Sequence, residues 1–305
     1  MTKAPVATRC GSCAIIGATN AGKSTLMNYL VGAKVSIVSR KVQTTRCRIN
    51  GIYTDETAQI IFVDTPGLFD PRRALDRAMI DEVWNTLYDV DMVLVLVDAA
   101  AAPVPPDFQY LDEIIKRRRV DQPIFLALNK CDAVHPKDKL MALAKSYQDH
   151  IAFSQIFMIS GQKGDGLRDL LDGLIHHLPT APFLYPEDTV TDIPSMLMAA
   201  EITREQIFDR LHQELPYQTM VETTALTHDE SGSVTIHQNI IVGRDGHKGI
   251  VIGKGGTTLK QIGASARHHM TDIFERRVHL FLHVIVDPKW DQKVERLRLS
   301  GLLRS

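Results

Sequence analysis

Gly17-Ala18-Thr19-Asn20-Ala21-Gly22-Lys23-Ser24 stands between an apolar run, Cys13 to Ile16, and a helical pattern, Thr25 to Leu30. A strand that enters a glycine-rich loop and leaves it as a helix is the opening unit of an α/β fold of the P-loop kind. The glycines let backbone N–H groups close around phosphate oxygens at a helix N-terminus, where the dipole is positive. In this arrangement Lys23 reaches the terminal phosphates and Ser24 holds magnesium, with Thr25 beside them.

The same rhythm of strands and helices continues to about Leu178. Gln59 to Val63 precedes Asp64-Thr65-Pro66-Gly67, and Met92 to Val97 ends at Asp98. Ile124 to Leu128 precedes Asn129-Lys130-Cys131-Asp132, and Gln155 to Ile159 ends at Ser160. Polar residues thus follow the carboxyl end of each strand, where such sheets put their ligands, which predicts a doubly wound, mostly parallel sheet over residues 10–180. Asp64 can reach the magnesium shell and Gly67 can approach a γ-phosphate, which makes Asp64 to Gly67 a switch loop. The two oxygens of Asp132 can accept both the ring N–H and the exocyclic amine of guanine. Adenine offers no such pair, so this site can discriminate by roughly 10⁴. Ser160-Gly161 would complete the base pocket through backbone contacts. GTP and GDP are the expected ligands, and GTP hydrolysis the expected reaction. A P-loop kinase or ATPase would share Gly17 to Ser24 but has no use for Asn129 to Asp132.

This ordered set resembles the translation-factor-like, Ras-related GTPases. Where the best-known of these carry a glutamine that orients the attacking water, this chain has Leu68, so slow intrinsic turnover is expected. Arg40-Lys41-Val42-Gln43-Thr44-Thr45-Arg46 offers a threonine pair for a mobile loop that completes the magnesium shell. Thr45 is favoured by its match to the Thr-Arg pattern of related GTPases, and Thr44 is the second choice. The catalytic set is therefore Lys23, Thr45, Asp64 and Gly67. Asn20 matches an asparagine that, in GTPases resembling this one, helps hold a potassium ion beside the phosphates. On residue type alone Asn20 equally suits a turn.

The chain has 305 residues, about two domains' worth. Its 35 basic and 36 acidic side chains nearly cancel, so any nucleic-acid site must be local. The longest apolar run, Met92 to Val97, is only strand-sized, and the N-terminus lacks a signal-peptide core, which suggests a cytoplasmic protein. Cys10, Cys13, Cys47 and Cys131 are too irregularly spaced for a disulfide framework, and the Cys10/Cys13 pair lacks the partners a zinc site needs.

Residues 181–192 contain prolines and read as a linker. Beyond them Ala199 to Leu215 reads as an amphipathic helix, Tyr217 to Thr227 and Ser233 to Val242 as strands, Thr257 to Phe274 as a helix and Val278 to Val286 as a third strand. Ile252-Gly253-Lys254-Gly255-Gly256 carries the GXXG element of a KH domain, so residues 193–305 are expected to form a type II KH domain of α+β class that binds single-stranded RNA. Lys248, Lys260 and Arg267 add local positive charge and join Ile252 to Gly256 as candidate RNA contacts.

Taken whole, the chain resembles the Era family of bacterial ribosome-assembly GTPases. The matching stretches include Ser39 to Arg46, Asp64 to Leu68, Tyr185 to Asp192, Glu214 to Tyr217 and Ile252 to Gly256. Ala18, Ala21 and Gly161 depart mildly from the family pattern. The resemblance implies binding near the 3′ end of small-subunit (16S) ribosomal RNA and to the maturing small (30S) subunit. It also implies loose contact with the inner membrane face; magnesium, potassium through Asn20, and a monomer are expected alongside it. The rival reading is an RNA-binding scaffold with weak or regulatory nucleotide binding.

Overall fold

Strand-like runs of four to six residues separated by helical patterns leave little choice of layer order, and the computed structural model, which describes residues 7–39, 41, 45–71, 73–101, 108–212, 214–230 and 232–293, follows it. Two compact units divide the chain. One takes the described residues up to Ser36, then Arg48–Pro71 and Met79–Asp192. The other takes those of Ile37–Cys47 and Arg72–Ala78, and those from Ile193 onward.

The elements of the first stretch are β1 (Arg9–Ile16), α1 (Lys23–Val31), β2 (Ile49–Thr54), β3 (Ala58–Asp64), α2 (Ala74–Asp89), β4 (Met92–Asp98), α3 (Gln109–Arg117), β5 (Ile124–Asn129), α4 (Asp138–His150), β6 (Gln155–Met158) and α5 (Leu167–His177). The sheet order is β2-β3-β1-β4-β5-β6, with β2 antiparallel and every other pair parallel. Every residue of β3 and β5 is buried, as strands covered on both faces require. Sequence reading missed β2, whose short run is interrupted by Asn50-Gly51. The glycine has a packing reason: a Cβ there would meet Met27 and Val31 of α1 at 2.9 Å.

The segment expected as a linker, 181–192, belongs to the first unit. The buried Gln59 carboxamide accepts from the N–H groups of Leu184 and Tyr185 at 2.9 and 3.0 Å and donates to the Tyr185 carbonyl at 2.9 Å. Ile52 N–H donates to the Val190 carbonyl at 2.9 Å, so this proline-bearing strap runs along the β2 edge.

The second unit is built on α6 (Ser195–Arg210), β7 (Thr219–His228), β8 (Val234–Val242), α7 (Asp245–Ile252), α8 (Thr257–Phe274) and β9 (Val278–Val286), with sheet order β7-β8-β9. Strands β7 and β8 are antiparallel and β8 and β9 parallel. Here the expected helix over Ala199 to Leu215 needs correction. It begins just after Pro194 and ends at Arg210, where Leu211 is extended, and it is not amphipathic. Every residue from Met198 to Phe208 is buried, because its polar groups find partners inside the unit. Arg204 Nε donates to Glu201 at 2.7 Å, Thr203 donates to Gln238 at 2.6 Å, and Glu205 accepts from the Val38 N–H at 3.0 Å.

Arg46 and Lys41 are anchored in the same unit. The buried Arg46 guanidinium donates to the carbonyls of Thr219 at 2.7 Å, Tyr217 at 3.2 Å and Pro216 at 3.3 Å, and burial lowers its pKa to about 9. Lys41 Nζ donates to the carbonyls of Phe208 and Leu211, the orphan acceptors at the end of α6.

Candidate functional site

The loop between β1 and α1 needs its glycines for space and for backbone conformation. A Cβ on Gly17 would lie 2.2 Å from the Leu96 carbonyl oxygen, and Gly22, at φ +97°, starts α1 from the left-handed region. Asn20 also has positive φ, 63°, a conformation asparagine tolerates better than most residues. Ala18 is exposed and Ala21 buried. Lys23 folds back over the loop, its ammonium donating to the carbonyls of Gly17 and Ala18 at 3.0 Å each. Burial lowers the Lys23 pKa to about 8, opposed by the charge of Asp64.

Asp64, at the end of β3, is fully buried, and its Oδ2 accepts from Ser24 at 2.7 Å and from Ser36 at 2.8 Å. Thr25 is half-buried one residue further along α1. Past Asp64 the switch loop is tied to the neighbouring strand and to the P-loop: Thr65 Oγ1 donates to the Ile15 carbonyl at 2.9 Å, and Leu68 N–H to the Gly17 carbonyl at 3.0 Å. Pro66 is buried between them. A Cβ on Gly67 would stand 2.7 Å from Thr19 Cγ2, so only glycine lets these loops meet. Leu68 is not a passive replacement for glutamine. It is 3 % exposed and packs in the core with Ala14, Ile16, Val63 and Val95.

Asn129, at the end of β5, joins three loops. Its Nδ2 donates to the Ala21 carbonyl at 2.8 Å, and its Oδ1 accepts from the N–H groups of Lys130 at 2.8 Å and Gly161 at 2.9 Å. Lys130, at φ 61°, donates to the Asn20 carbonyl at 2.9 Å and pairs with Asp98 at 2.6 Å. Cys131 N–H donates to the Ile159 carbonyl at 3.1 Å, which fixes the turn that presents Asp132. A hydrogen bond with Ser160, and then Lys163 at 3.2 Å, hold the Asp132 carboxyl below the usual carboxylate range. Gly161 is not forced by crowding: a Cβ would make ordinary contacts, the nearest 3.4 Å from Asn129 Oδ1.

The first unit therefore brings together Gly17 to Thr25, Asp64 to Leu68, Asn129 to Asp132 and Ser160-Gly161 at one end of the sheet. Thr45 is buried within the second unit. Arg40, Val42, Gln43 and Thr44 lie outside the described residues. Sequence reading assigned no role to Ser36, Lys163 or the carboxylate of Asp98. Only Asp98 carried a signal, its place at a strand's carboxyl end.

In the second unit α7 runs into Gly253-Lys254-Gly255-Gly256 and then α8. Gly253, Gly255 and Gly256 have φ of 73°, 62° and 78°, which glycine adopts without strain. A Cβ on Gly253 would collide with Thr258 Oγ1 at 2.2 Å, whereas one on Gly255 would meet nothing within 4 Å. Gly255 thus faces open space and is favoured by its backbone conformation rather than by crowding. Lys254 in the loop is exposed, as are Lys260 and Arg267 on α8, and Lys248 and Ile252 on α7 are half-buried.

A family model described as 50S ribosome-binding GTPase matches residues 12–130, and one described as KH domain matches residues 214–291. GTPase Era of Afipia carboxidovorans is 50 % identical over 300 residues, 97 % of this chain and 94 % of the relative. GTPase Era of Caulobacter vibrioides is 47 % identical over 304 residues, 96 % of each chain. A crystal structure of Era with MgGDPNP and nucleotides 1506–1542 of 16S ribosomal RNA matches with TM-score 0.91 and 36 % identity, covering 97 % of this chain and 99 % of that one. A variant of Aquifex aeolicus Era bound to GDP and AlF4− matches with TM-score 0.89 and 35 % identity, again over 97 % and 99 %.

Proposed function

The chain belongs to the Era family of GTPases, and we propose that it is a GTP-hydrolysing switch that binds 16S ribosomal RNA near its 3′ end and assists assembly of the small subunit. The observation that carries this reading is the match, over 97 % of this chain, to an Era held with both a GTP analogue and a 16S fragment. The description of the GTPase family model names the 50S particle, but that model spans only residues 12–130. The small-subunit reading follows the match that includes the RNA-binding unit.

At the phosphates, Lys23 and the N–H groups of the loop receive the negative charge. The Lys23 ammonium, which rests on the Gly17 and Ala18 carbonyls, exchanges these weak partners for phosphate oxygens. Ser24 Oγ and the Asp64 carboxylate, hard oxygen donors 2.7 Å apart, suit a magnesium ion, with Thr45 proposed as a further donor. A magnesium ion held by these oxygens would supply positive charge to neutralise the transferred phosphoryl group. Asp132 accepts the two guanine N–H donors. Asn129 acts at one remove: its amide fixes the P-loop, the base loop and Gly161 in one arrangement.

Leu68, fixed in the core, cannot orient water. We assign the missing positive charge to potassium at the Asn20 carboxamide, on resemblance to GTPases that share this asparagine. Equal turnover in potassium and sodium at constant ionic strength would return Asn20 to a turn role. RNA is assigned to Ile252–Gly256 with Lys248, Lys260 and Arg267. A monomer working in the cytoplasm, in loose contact with the inner membrane face, is proposed on family resemblance alone. Among the described residues no helix is long and apolar enough to cross a membrane.

The test of the nucleotide assignment is base preference. Asp132→Asn should weaken GTP binding and shift preference toward xanthosine nucleotides, because an amide cannot accept both guanine N–H groups. GTP should compete and ATP should not compete for the wild-type site. Unchanged GTP affinity in the variant would reject the assignment.

A further inference from the structure

Ser36 belongs to none of the motifs above, yet it meets the carboxylate on which the magnesium site depends. Its Oγ donates to Asp64 Oδ2 at 2.8 Å, on the same oxygen that accepts from Ser24 at 2.7 Å. Ser36 is 2 % exposed and Asp64 0 %, so bulk water does not compete for these bonds.

Its backbone is held as firmly as its hydroxyl. Asn28 Oδ1 accepts from the N–H groups of Val35 at 3.0 Å and Ser36 at 2.9 Å, while Asn28 Nδ2 donates to the Ser36 carbonyl at 2.7 Å. Asn28 lies one turn beyond Ser24 on α1, on the same helix face. One helix therefore supplies a hydroxyl to Asp64 directly and, through Asn28, places a second.

We propose that Ser36 is a positioning residue of the magnesium site: its hydroxyl, set by the Asn28 clamp, fixes the Asp64 carboxylate in the orientation that serves the ion. This rests on the reading that Ser24 and Asp64 hold magnesium. The terminal torsion of an aspartate is broad, so a carboxylate tethered by a single hydroxyl retains rotational freedom. Two donors arriving from different segments remove it. Groups that orient a metal ligand in this way typically change metal affinity by about 10- to 100-fold.

If Ser36 only satisfied a buried acid, its loss would weaken the protein equally with and without the metal. The discriminating quantity is therefore the magnesium dependence of nucleotide binding. Fluorescent GDP affinity is measured on the full chain across buffered magnesium concentrations and in excess EDTA. Ser36→Ala should raise the magnesium concentration for half-maximal tightening by about tenfold and leave the EDTA affinity unchanged. Asn28→Ala should shift the midpoint in the same direction, and it decides the matter if Ser36→Ala does not fold. Ser24→Ala should abolish the magnesium dependence. Wild-type dependence in Ser24→Ala would overturn the metal-site reading itself. Loss in Ser24→Ala with an unmoved midpoint in the folded Ser36→Ala or Asn28→Ala protein would overturn the role of Ser36 alone.

Discussion

Leu68 shows how one residue can serve the core with its side chain and the site with its backbone. Its N–H closes on the Gly17 carbonyl at 3.0 Å and its side chain is buried in the core, so the residue after the switch glycine joins two loops of the site. Leu68→Gln, which would supply the amide found in better-known GTPases, should therefore not quicken hydrolysis. It places an amide in an apolar cluster, at a cost of about 1–3 kcal/mol for the unmet hydrogen bonds, added to the lost apolar burial. Urea denaturation should show the destabilisation, and single-turnover hydrolysis should show a rate no higher than wild type. A faster variant would mean that this side chain reaches the reacting phosphate.

At the scale of elements, the two GXXG glycines flanking Lys254 separate structural need from ligand access. Gly253 lies at φ 73° and ψ 171°, a region almost confined to glycine, and has Thr258 against it. Gly255 lies at φ 62° and ψ 22° with open space in place of a Cβ. Gly253→Ala should cost at least about 2–3 kcal/mol, from strain and displacement of Thr258, and Gly255→Ala only about 1–2 kcal/mol. Equilibrium unfolding of the pair in urea checks the order, and the reverse ranking would contradict the geometry.

Much of this element-level architecture was legible because period and punctuation agree. β3 and β5 are buried runs that end at Asp64 and Asn129, β4 is buried as far as Leu96 and ends at Asp98, and each motif lies where its strand stops. Two failures have physical causes. β2 has an Asn-Gly interruption that is explained only by the side chains of α1. The charges of α6 look like a solvent face in one dimension, but Glu201 and Arg204 neutralise each other inside the unit. Ser36 was invisible for a related reason: a serine acquires its role only when folding brings it to Asp64, 28 positions away.

For the whole molecule, the central claim is that one chain joins a nucleotide site to an RNA site so that each senses the other. Thr45, proposed as a further magnesium donor, is buried in the same compact unit as the GXXG loop. Linkage requires reciprocity: if GTP changes RNA affinity, RNA changes GTP affinity by the same factor, typically about 5- to 150-fold. Gly255→Asp tests the RNA side without touching the nucleotide side, since it adds bulk and negative charge at an open position. The most direct measurement is the affinity for a 16S 3′-end fragment, at fixed salt, of wild type and Gly255→Asp in the GDP and GTP-analogue states. The account predicts wild-type affinities that differ at least about fivefold between the states, and sharply weakened RNA binding by the variant with GTP binding intact. Equal wild-type RNA affinity in both nucleotide states, or undiminished binding by the variant, would contradict it.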